Sequence, residues 1–420
     1  MKITVSTVLR LCSYMSLAIS FMPVVDYYCP WYVTVLPIFL VLFLSIRMNE
    51  RGSFTPIAVL CTVCLTVLIF WFIKRREAPV SYFINSFIAF LPAIVSIRLR
   101  KIVKDESFFR DYLNAALLFV AVTCVTTMIG HIQYPMASRE LASGTAIYDT
   151  EKYLRVNIGG YEFIYALTLL IPIVLWQIGK VRGLRRIWYL AVLVLMIMCV
   201  YSSQYTLALI CVAIAFLVVF MQKNKTVTLI VTACLALFLL ANGLELLANI
   251  FYWASENVGT AYVRDRLLQV AQLLSGRSIN TQTTDARIRH YMNELKYFGQ
   301  SPIFGSNFLT FHKNTVSGHS LILDMLAAGG IIATSIMVVL MRELYRVSVP
   351  AYGKKGCAAV RAVWVMATVT AALNPVIFPT IAMVVFPCCM CVDRIEKRMY
   401  LTEKEKQNVE IGDTGIAQPD

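Results

Sequence analysis

The chain has 420 residues, of which 59% are hydrophobic and only 15% are charged, and its mean hydropathy is +0.69. A soluble protein of this size could not keep so apolar a surface in water, so the composition excludes one and predicts a polytopic membrane protein. In such a protein the net charge of +14 indicates basic cytoplasmic loops rather than nucleic-acid binding.

Apolar runs predict the number of membrane spans, because a helix needs roughly 20 apolar residues to cross the hydrocarbon. The first run is expected to be a true span rather than a cleaved signal peptide, since Arg10 interrupts it and no small-x-small exit precedes Asp26. The twelve predicted spans lie near residues 6–25, 31–47, 54–73, 79–97, 112–131, 159–178, 187–201, 205–221, 226–248, 318–340, 358–374 and 376–392. We therefore expect an all-α polytopic membrane protein, with one integral membrane domain at 1–393 and a tail at 394–420.

Lysine and arginine predict the orientation of these spans. The basic connections alternate with poorer ones, which places both termini in the cytoplasm and makes the long loops at about 132–158 and 249–317 external. The second loop lies between the ninth and tenth spans. The basic run 74–76 disagrees: either the span count slips there, or it anchors at the interface, or its cations face outward to meet a phosphate. The tail is predicted to form a short amphipathic helix over 394–405 and then to be disordered.

The 12 cysteines predict neither a disulfide framework nor a metal site. All but Cys29 fall in predicted spans or cytoplasmic segments, where thiols stay reduced. The closely spaced cysteines at 61–64 and 388–391 lie in apolar runs without histidine or acidic partners.

The external loop contains a segment, Asp285–Phe298, that is typical of an amphipathic helix. Such a helix lies in the membrane interface and would hold Arg287 and Arg289 at headgroup depth. Arginine suits a lipid-linked pyrophosphate there, because its planar fork binds phosphate oxygens in pairs, although both side chains could simply touch lipid headgroups. The apolar face consists of Ile288, Tyr291, Met292, Leu295 and Phe298.

The next span begins at His319, a candidate general base because histidine titrates near neutrality. A lone histidine at a helix start can equally be a structural group, so the residue alone does not decide. Residues that we expect to support the site are Gly318, Ser320 and Asp324, followed by the small-residue stripe Ala327, Gly330 and Thr334.

His319 and Ser320, then nine residues, Gly330, three residues and Thr334 resemble the motif of the O-antigen ligase and polymerase superfamily. In that family the histidine is followed by Asn, Ser or Gln, nine residues, a glycine, three residues and Gly, Thr or Asn. The order of the motifs and their place between the ninth and tenth spans agree with the family. The motif resemblance covers about residues 285–334.

Two further segments carry the resemblance. Residues Arg287–Tyr291 look like the family's arginine-then-aromatic segment, with Tyr291 where tryptophan is common, and Ser301–Gly305 resembles its proline-to-glycine segment. One feature departs from the pattern: the family often has Ser-Arg before the eighth span, whereas this chain has Ser203 and Gln204. A second phosphate-binding cation must then come from elsewhere, and the candidates are Arg155, Arg277, Arg289 and the run 74–76.

The resemblance implies a fold like that of GT-C membrane glycosyltransferases, and an inverting, metal-independent glycosyl transfer without a cofactor. The donor would be an oligosaccharide on undecaprenyl pyrophosphate, used at the outer face of the bacterial cytoplasmic membrane. Arg287 would stabilise the leaving pyrophosphate, and His319 would take the proton from the attacking hydroxyl. The partners implied are this donor, a glycan acceptor, the bilayer and a chain-length regulator.

Two outcomes share this chemistry. A polymerase passes the glycan to another lipid-linked repeat unit, and a ligase passes it to lipid A-core. The run Gly318–Ser320 followed by Leu323 and Asp324 looks more like capsule and exopolysaccharide polymerases, which favours the polymerase. A transporter or flippase of lipid-linked glycan is the alternative from another class, but such proteins usually show two similar halves, and this sequence has no detectable half-repeat.

The predicted topology can be tested by cysteine labelling from outside intact cells in a variant lacking the native cysteines. Ser278→Cys should react with a membrane-impermeant maleimide, and Gln407→Cys should react only after permeabilisation. The opposite pattern would contradict the orientation that lysine and arginine predict.

Overall fold

The computed structural model describes residues 5–29, 36–41, 43–44, 91–100, 103, 105–143, 149–221, 243–257, 261–275, 282–306, 320–350, 354–373 and 381–414. All regular secondary structure in these residues is helical. The chain divides into two compact units, the first formed by Met1–Val219 with Ile332–Asp420 and the second by Phe220–Ile331.

The helices lie in chain order as follows, with a short π-helix at Ile381–Val385 before the last. They are α1 Val5–Phe21, α2 Pro23–Tyr28, α3 Glu106–Gln133, α4 Ala137–Ser143, α5 Thr150–Arg155, α6 Tyr161–Ile178, α7 Leu184–Ser202, α8 Thr206–Met221, α9 Gly243–Asn257, α10 Ala261–Leu274, α11 Gln282–Gln300, α12 Leu321–Ser348, α13 Lys354–Leu373 and α14 Phe386–Thr414. Residues 91–100 are helical as well.

Five of the described helices are long and apolar enough to cross a membrane: α3, α6, α7, α12 and α13. Shorter apolar helices occupy Thr7–Phe21 and Leu207–Val219. The protein is thus an all-helical membrane protein over the described residues, as its composition predicts. The predicted spans near 54–73 and most of those near 31–47, 79–97 and 226–248 lie outside those residues, so the number twelve stays a prediction.

The end of the chain differs from the sequence prediction. The tail does not begin a separate short helix at 394, because α14 runs without interruption from Phe386 to Thr414. Buried carboxylates hold its second and third turns: Asp393 pairs with Arg100, and Glu396 Oε1 accepts from Trp176 Nε1 at 3.0 Å and lies 3.3 Å from Lys180 Nζ. These contacts extend the packed helix past the apolar run.

The core of the first unit lies around α3, which packs against α1, α7 and α14. One end of α3 is tied to α1 by ion pairs from Arg10 to Asp105 and Asp111. The Ser107 amide and hydroxyl donate to Asp105 and lower the pKa of this carboxyl, which caps the helix. Arg394 donates to the Val103 carbonyl at 2.8 Å, and Asp393 and Glu396 pair with Arg100 and Lys180, so the basic segments near 100–110, 180–186 and 394 meet at one end of this unit.

The opposite end of α3 is tied by Asn157, which has a left-handed backbone with φ 59°. Its side-chain amide donates to Thr123 at 3.1 Å and Thr126 at 3.0 Å, and its carbonyl oxygen accepts from the Val24 amide at 3.2 Å. Asparagine tolerates this backbone better than most residues. One buried side chain thus joins α2, α3 and the segment after α5.

In the second unit, α9 and α10 pack against each other, and α11 leads through a tight turn at 301–306 toward α12. The predicted helix at Asp285–Phe298 is confirmed with slightly wider bounds, Gln282–Gln300. The second unit ends at Ile331, one residue after Gly330 interrupts the helical backbone of α12.

Candidate functional site

The 301–306 turn follows directly on α11 and is held by its own backbone. The Ser301 amide donates to the Phe298 carbonyl at 3.2 Å, and the Gly305 amide donates to the Ser301 carbonyl at 2.8 Å. Gly305 has φ +80°, a left-handed conformation that glycine adopts without steric cost. Because the turn closes on itself, its backbone can present Pro302, Ile303 and Gly305 to α12 as a fixed unit.

The turn repairs a break in α12. In an uninterrupted helix the Ile331 amide would donate to the carbonyl four residues earlier, that of Ala327. Gly330 has φ 63° and ψ −164°, which is not helical, and the Ile331 amide donates instead to the Pro302 carbonyl at 2.8 Å. The Ala327 carbonyl accepts from the Ser306 hydroxyl at 2.8 Å, so the turn satisfies both backbone groups.

Two glycines allow this approach. A methyl group on Gly330 would lie 2.4 Å from the Ile303 carbonyl oxygen, and one on Gly305 would lie 2.3 Å from the Ala328 carbonyl oxygen. Both distances are far inside van der Waals contact, and both backbones are left-handed. At Gly330 the small-residue stripe is therefore packed against the backbone of the 301–306 turn, and not against a second helix.

The start of α12 is capped by Ser320. Its hydroxyl oxygen accepts from the Leu323 amide at 3.3 Å, and its carbonyl accepts from the Asp324 amide at 2.8 Å. Ser320 and Asp324 are both buried. Gly318 and His319, which directly precede this cap, lie outside the described residues. The predicted base, His319, therefore directly precedes the buried residue that caps α12.

Helix α11 carries the predicted pyrophosphate-binding residues. Arg289 is exposed, Tyr291 is half-buried and Glu294 is buried, whereas the side chain of Arg287 lies outside what the structure describes. Apolar side chains are exposed on α11 and on the turn that follows it: Met292, Leu295, Ile303 and Phe304. An exposed apolar surface next to an exposed arginine is typical of a segment in the membrane interface.

The other candidates for the second phosphate-binding cation do not lie on α11. Arg155 lies in the first unit at the end of α5, pairs with Glu151 and lies over the Tyr27 ring, 5.7 Å from its centroid. The Tyr27 hydroxyl and the Arg155 guanidinium lower the pKa of Glu151. Arg277 and the run 74–76 lie outside the described residues. The structure therefore gives Arg155 a local partner and leaves the source of the second phosphate-binding cation a prediction.

A polar cluster in the first unit was missed by the sequence analysis. His131 Nε2 lies 2.8 Å from the Ser138 hydroxyl, which donates to the Gly159 carbonyl, and His131 Nδ1 lies 3.0 Å from the Ser202 hydroxyl. The Tyr205 hydroxyl donates to the Ser138 carbonyl at 2.6 Å. Because both ring nitrogens of His131 are engaged, this histidine joins α3, α4 and α7 structurally. A histidine at the end of an apolar run was its only sequence signal.

Comparison with known proteins adds no assignment, because neither a protein-family model nor a curated protein matches the chain. The function must therefore be inferred from the local geometry of the second unit.

Removing the interruption in α12 should destabilise the protein. Gly330→Ala places a methyl group against the Ile303 carbonyl and forces alanine into a left-handed backbone, which should cost about 2 kcal/mol or more. We expect a lower Tm for the purified protein in detergent. Gly299→Ala is the matched control, because a methyl group there meets nothing within 4 Å. Equal Tm values for the two variants would contradict the described docking.

Proposed function

We propose that the chain is a membrane glycosyltransferase of surface-polysaccharide assembly. It would polymerise undecaprenyl-pyrophosphate-linked repeat units at the outer face of the bacterial cytoplasmic membrane, in a fold of about twelve spans with both termini in the cytoplasm. The observation that carries the proposal is the docking of Pro302–Gly305 on Gly330. These are two of the separate stretches that resemble the O-antigen ligase and polymerase superfamily, and they form one local structure.

This docking favours the resemblance over a chance match for a physical reason. A pattern of scattered residues in an apolar chain can arise by coincidence, but coincidence does not require the matched residues to depend on one another. Here Gly330 can break its helix only because the turn satisfies Ile331 and Ala327, and the turn can approach only because both contact points are glycines.

The docking also bears on where the chemistry would take place. It anchors the end of α11 to the second and third turns of α12, so the helix carrying Arg287 and the helix that begins after His319 are joined in the second unit. The cation for the pyrophosphate is then carried by one of two connected helices, and the base directly precedes the other in the chain. Positioning of this kind lowers the entropic cost of a two-substrate reaction.

In the proposed reaction the acceptor hydroxyl attacks the anomeric carbon of the donor sugar. His319 takes the hydroxyl proton, and the bond to the lipid pyrophosphate breaks on the opposite face, so that the configuration inverts. Arg287 and a second cation stabilise the negative charge that develops on the leaving pyrophosphate.

His319→Ala should fold and bind lipid-linked donor but form almost no product. A sugar hydroxyl is a poor nucleophile at neutral pH, so loss of its base should lower turnover by roughly 10²–10⁴. The measurement is product formation by purified protein, with a lipid-linked repeat unit as acceptor in one arm and lipid A-core in the other. His312→Ala is the control and should retain most activity. Near-normal turnover of His319→Ala would remove this residue from the mechanism.

Arg287→Lys should lose much of the activity although the charge is kept, because lysine cannot offer the paired fork to a pyrophosphate. Arg287→Ala should weaken donor binding further. The exposed Arg264 on α10 supplies the control, since Arg264→Lys makes the same exchange outside the motif. Full activity of Arg287→Lys together with unchanged donor binding of Arg287→Ala would reduce Arg287 to a headgroup anchor.

A further inference from the structure

A cavity of about 380 Å³ lies in the first unit, far along the chain from the 301–306 turn and α12. It is formed where α3 and α7 begin and where α6 ends. Its volume falls in the range of sites that hold small molecules or headgroups. The lining residues are Arg110, Asp111, Asn114, Gln177, Val181, Leu184, Arg185, Trp188 and Tyr189.

The charge of the cavity favours an anion. Arg110 and Arg185 both line it, and Asp111 is the one carboxylate among the lining residues. Asp111 is already engaged, since it accepts from Arg10 at 3.0 Å and lies 3.7 Å from Arg110. The excess positive charge therefore comes from two arginines, whose planar forks bind phosphate oxygens in pairs.

A buried amide oxygen in the cavity calls for a hydrogen-bond donor. Gln177 is only 5% exposed, and its Oε1 atom has no hydrogen-bond partner among the described residues. The neighbouring Asn114 carbonyl oxygen, in contrast, accepts from the Tyr189 hydroxyl at 2.8 Å. Because an unsatisfied buried acceptor is costly, a ligand that brings a hydroxyl group to Gln177 would be favoured.

The surroundings of the cavity indicate a lipid rather than a soluble anion. Leu184 and Ile187 expose most of their surface at the start of α7, and Leu190 continues this apolar face one turn further along. Trp188, which is partly exposed, lines the cavity itself, and tryptophan is enriched where a membrane meets water. Basic pockets between membrane helices are known sites for anionic headgroups.

We propose that this cavity binds the headgroup of an anionic phospholipid that carries a hydroxyl group. The phosphate lies on Arg110 and Arg185, the hydroxyl donates to Gln177 Oε1, and the acyl chains follow the exposed apolar face of α7. The site does not depend on the proposed glycosyl transfer, because it lies in the first unit and uses none of the residues assigned to that reaction.

The test titrates phosphatidylglycerol onto the full-length protein in detergent and counts bound lipid by native mass spectrometry. Arg110→Gln with Arg185→Gln should weaken binding about tenfold or more, because each arginine supplies a charge-assisted hydrogen bond. Arg182→Gln with Arg186→Gln is the matched control, since it removes the same charge from exposed positions that do not line the cavity. Equal losses in both pairs would overturn the site in favour of general attraction to a basic surface.

A second comparison tests the hydroxyl. Phosphatidylmethanol carries the same single charge as phosphatidylglycerol but no hydroxyl in its headgroup, so the native protein should bind it severalfold more weakly. Gln177→Met should abolish this preference and leave phosphatidylmethanol binding unchanged. Equal binding of the two lipids by the native protein would overturn the proposal. If the double arginine variant fails to fold, this comparison still tests the proposal, because it uses the native protein.

The same experiment separates a lipid from a free anion. Excess inorganic phosphate should not displace bound phosphatidylglycerol, because it lacks the acyl chains that follow α7. Displacement at millimolar phosphate would overturn the lipid assignment and make the cavity a soluble-anion site.

Discussion

The second unit depends on one hydrogen bond, in which the Ile331 amide donates to the Pro302 carbonyl instead of to the Ala327 carbonyl of its own helix. Within a membrane every backbone polar group must find a protein partner, since leaving one unsatisfied costs several kcal/mol. Gly330 withdraws the Ile331 amide from its place in α12, and the interruption persists because the turn after α11 supplies Pro302 as the acceptor and Ser306 as the donor. The shape of the start of α12, where the proposed chemistry lies, follows from this exchange.

In the first unit, polar and charged side chains likewise find partners at the two ends. At the basic end, buried or half-buried carboxylates such as Asp393 and Glu396 neutralise arginine and lysine and carry α14 beyond the apolar run. At the other end, Asn157 and His131 join helices through hydrogen bonds. These polar groups at the two ends of the unit are thus paired across helices.

Much of this architecture could be predicted from hydropathy, because membrane spans are set by the length of apolar runs. The boundary between α7 and α8 and the existence of α11 are both confirmed. Ser203–Gln204 separates the first two helices, and Pro302 follows two residues after the end of α11. Of the site, the glycines and the cap could be named in advance. Their roles could not, because nothing local in the sequence indicates that Pro302 accepts from Ile331.

The sequence by itself determined that this is an all-helical membrane protein, and it singled out Ser301–Gly305 and Gly330 as unusual. Those properties follow from composition and from local backbone preferences, which the chain carries without folding. Only the tertiary structure decided that the two stretches satisfy each other's backbone, that α14 continues past its apolar run, and that Arg110, Gln177 and Arg185 line one cavity. These features join residues distant in the chain, so no local pattern could specify them.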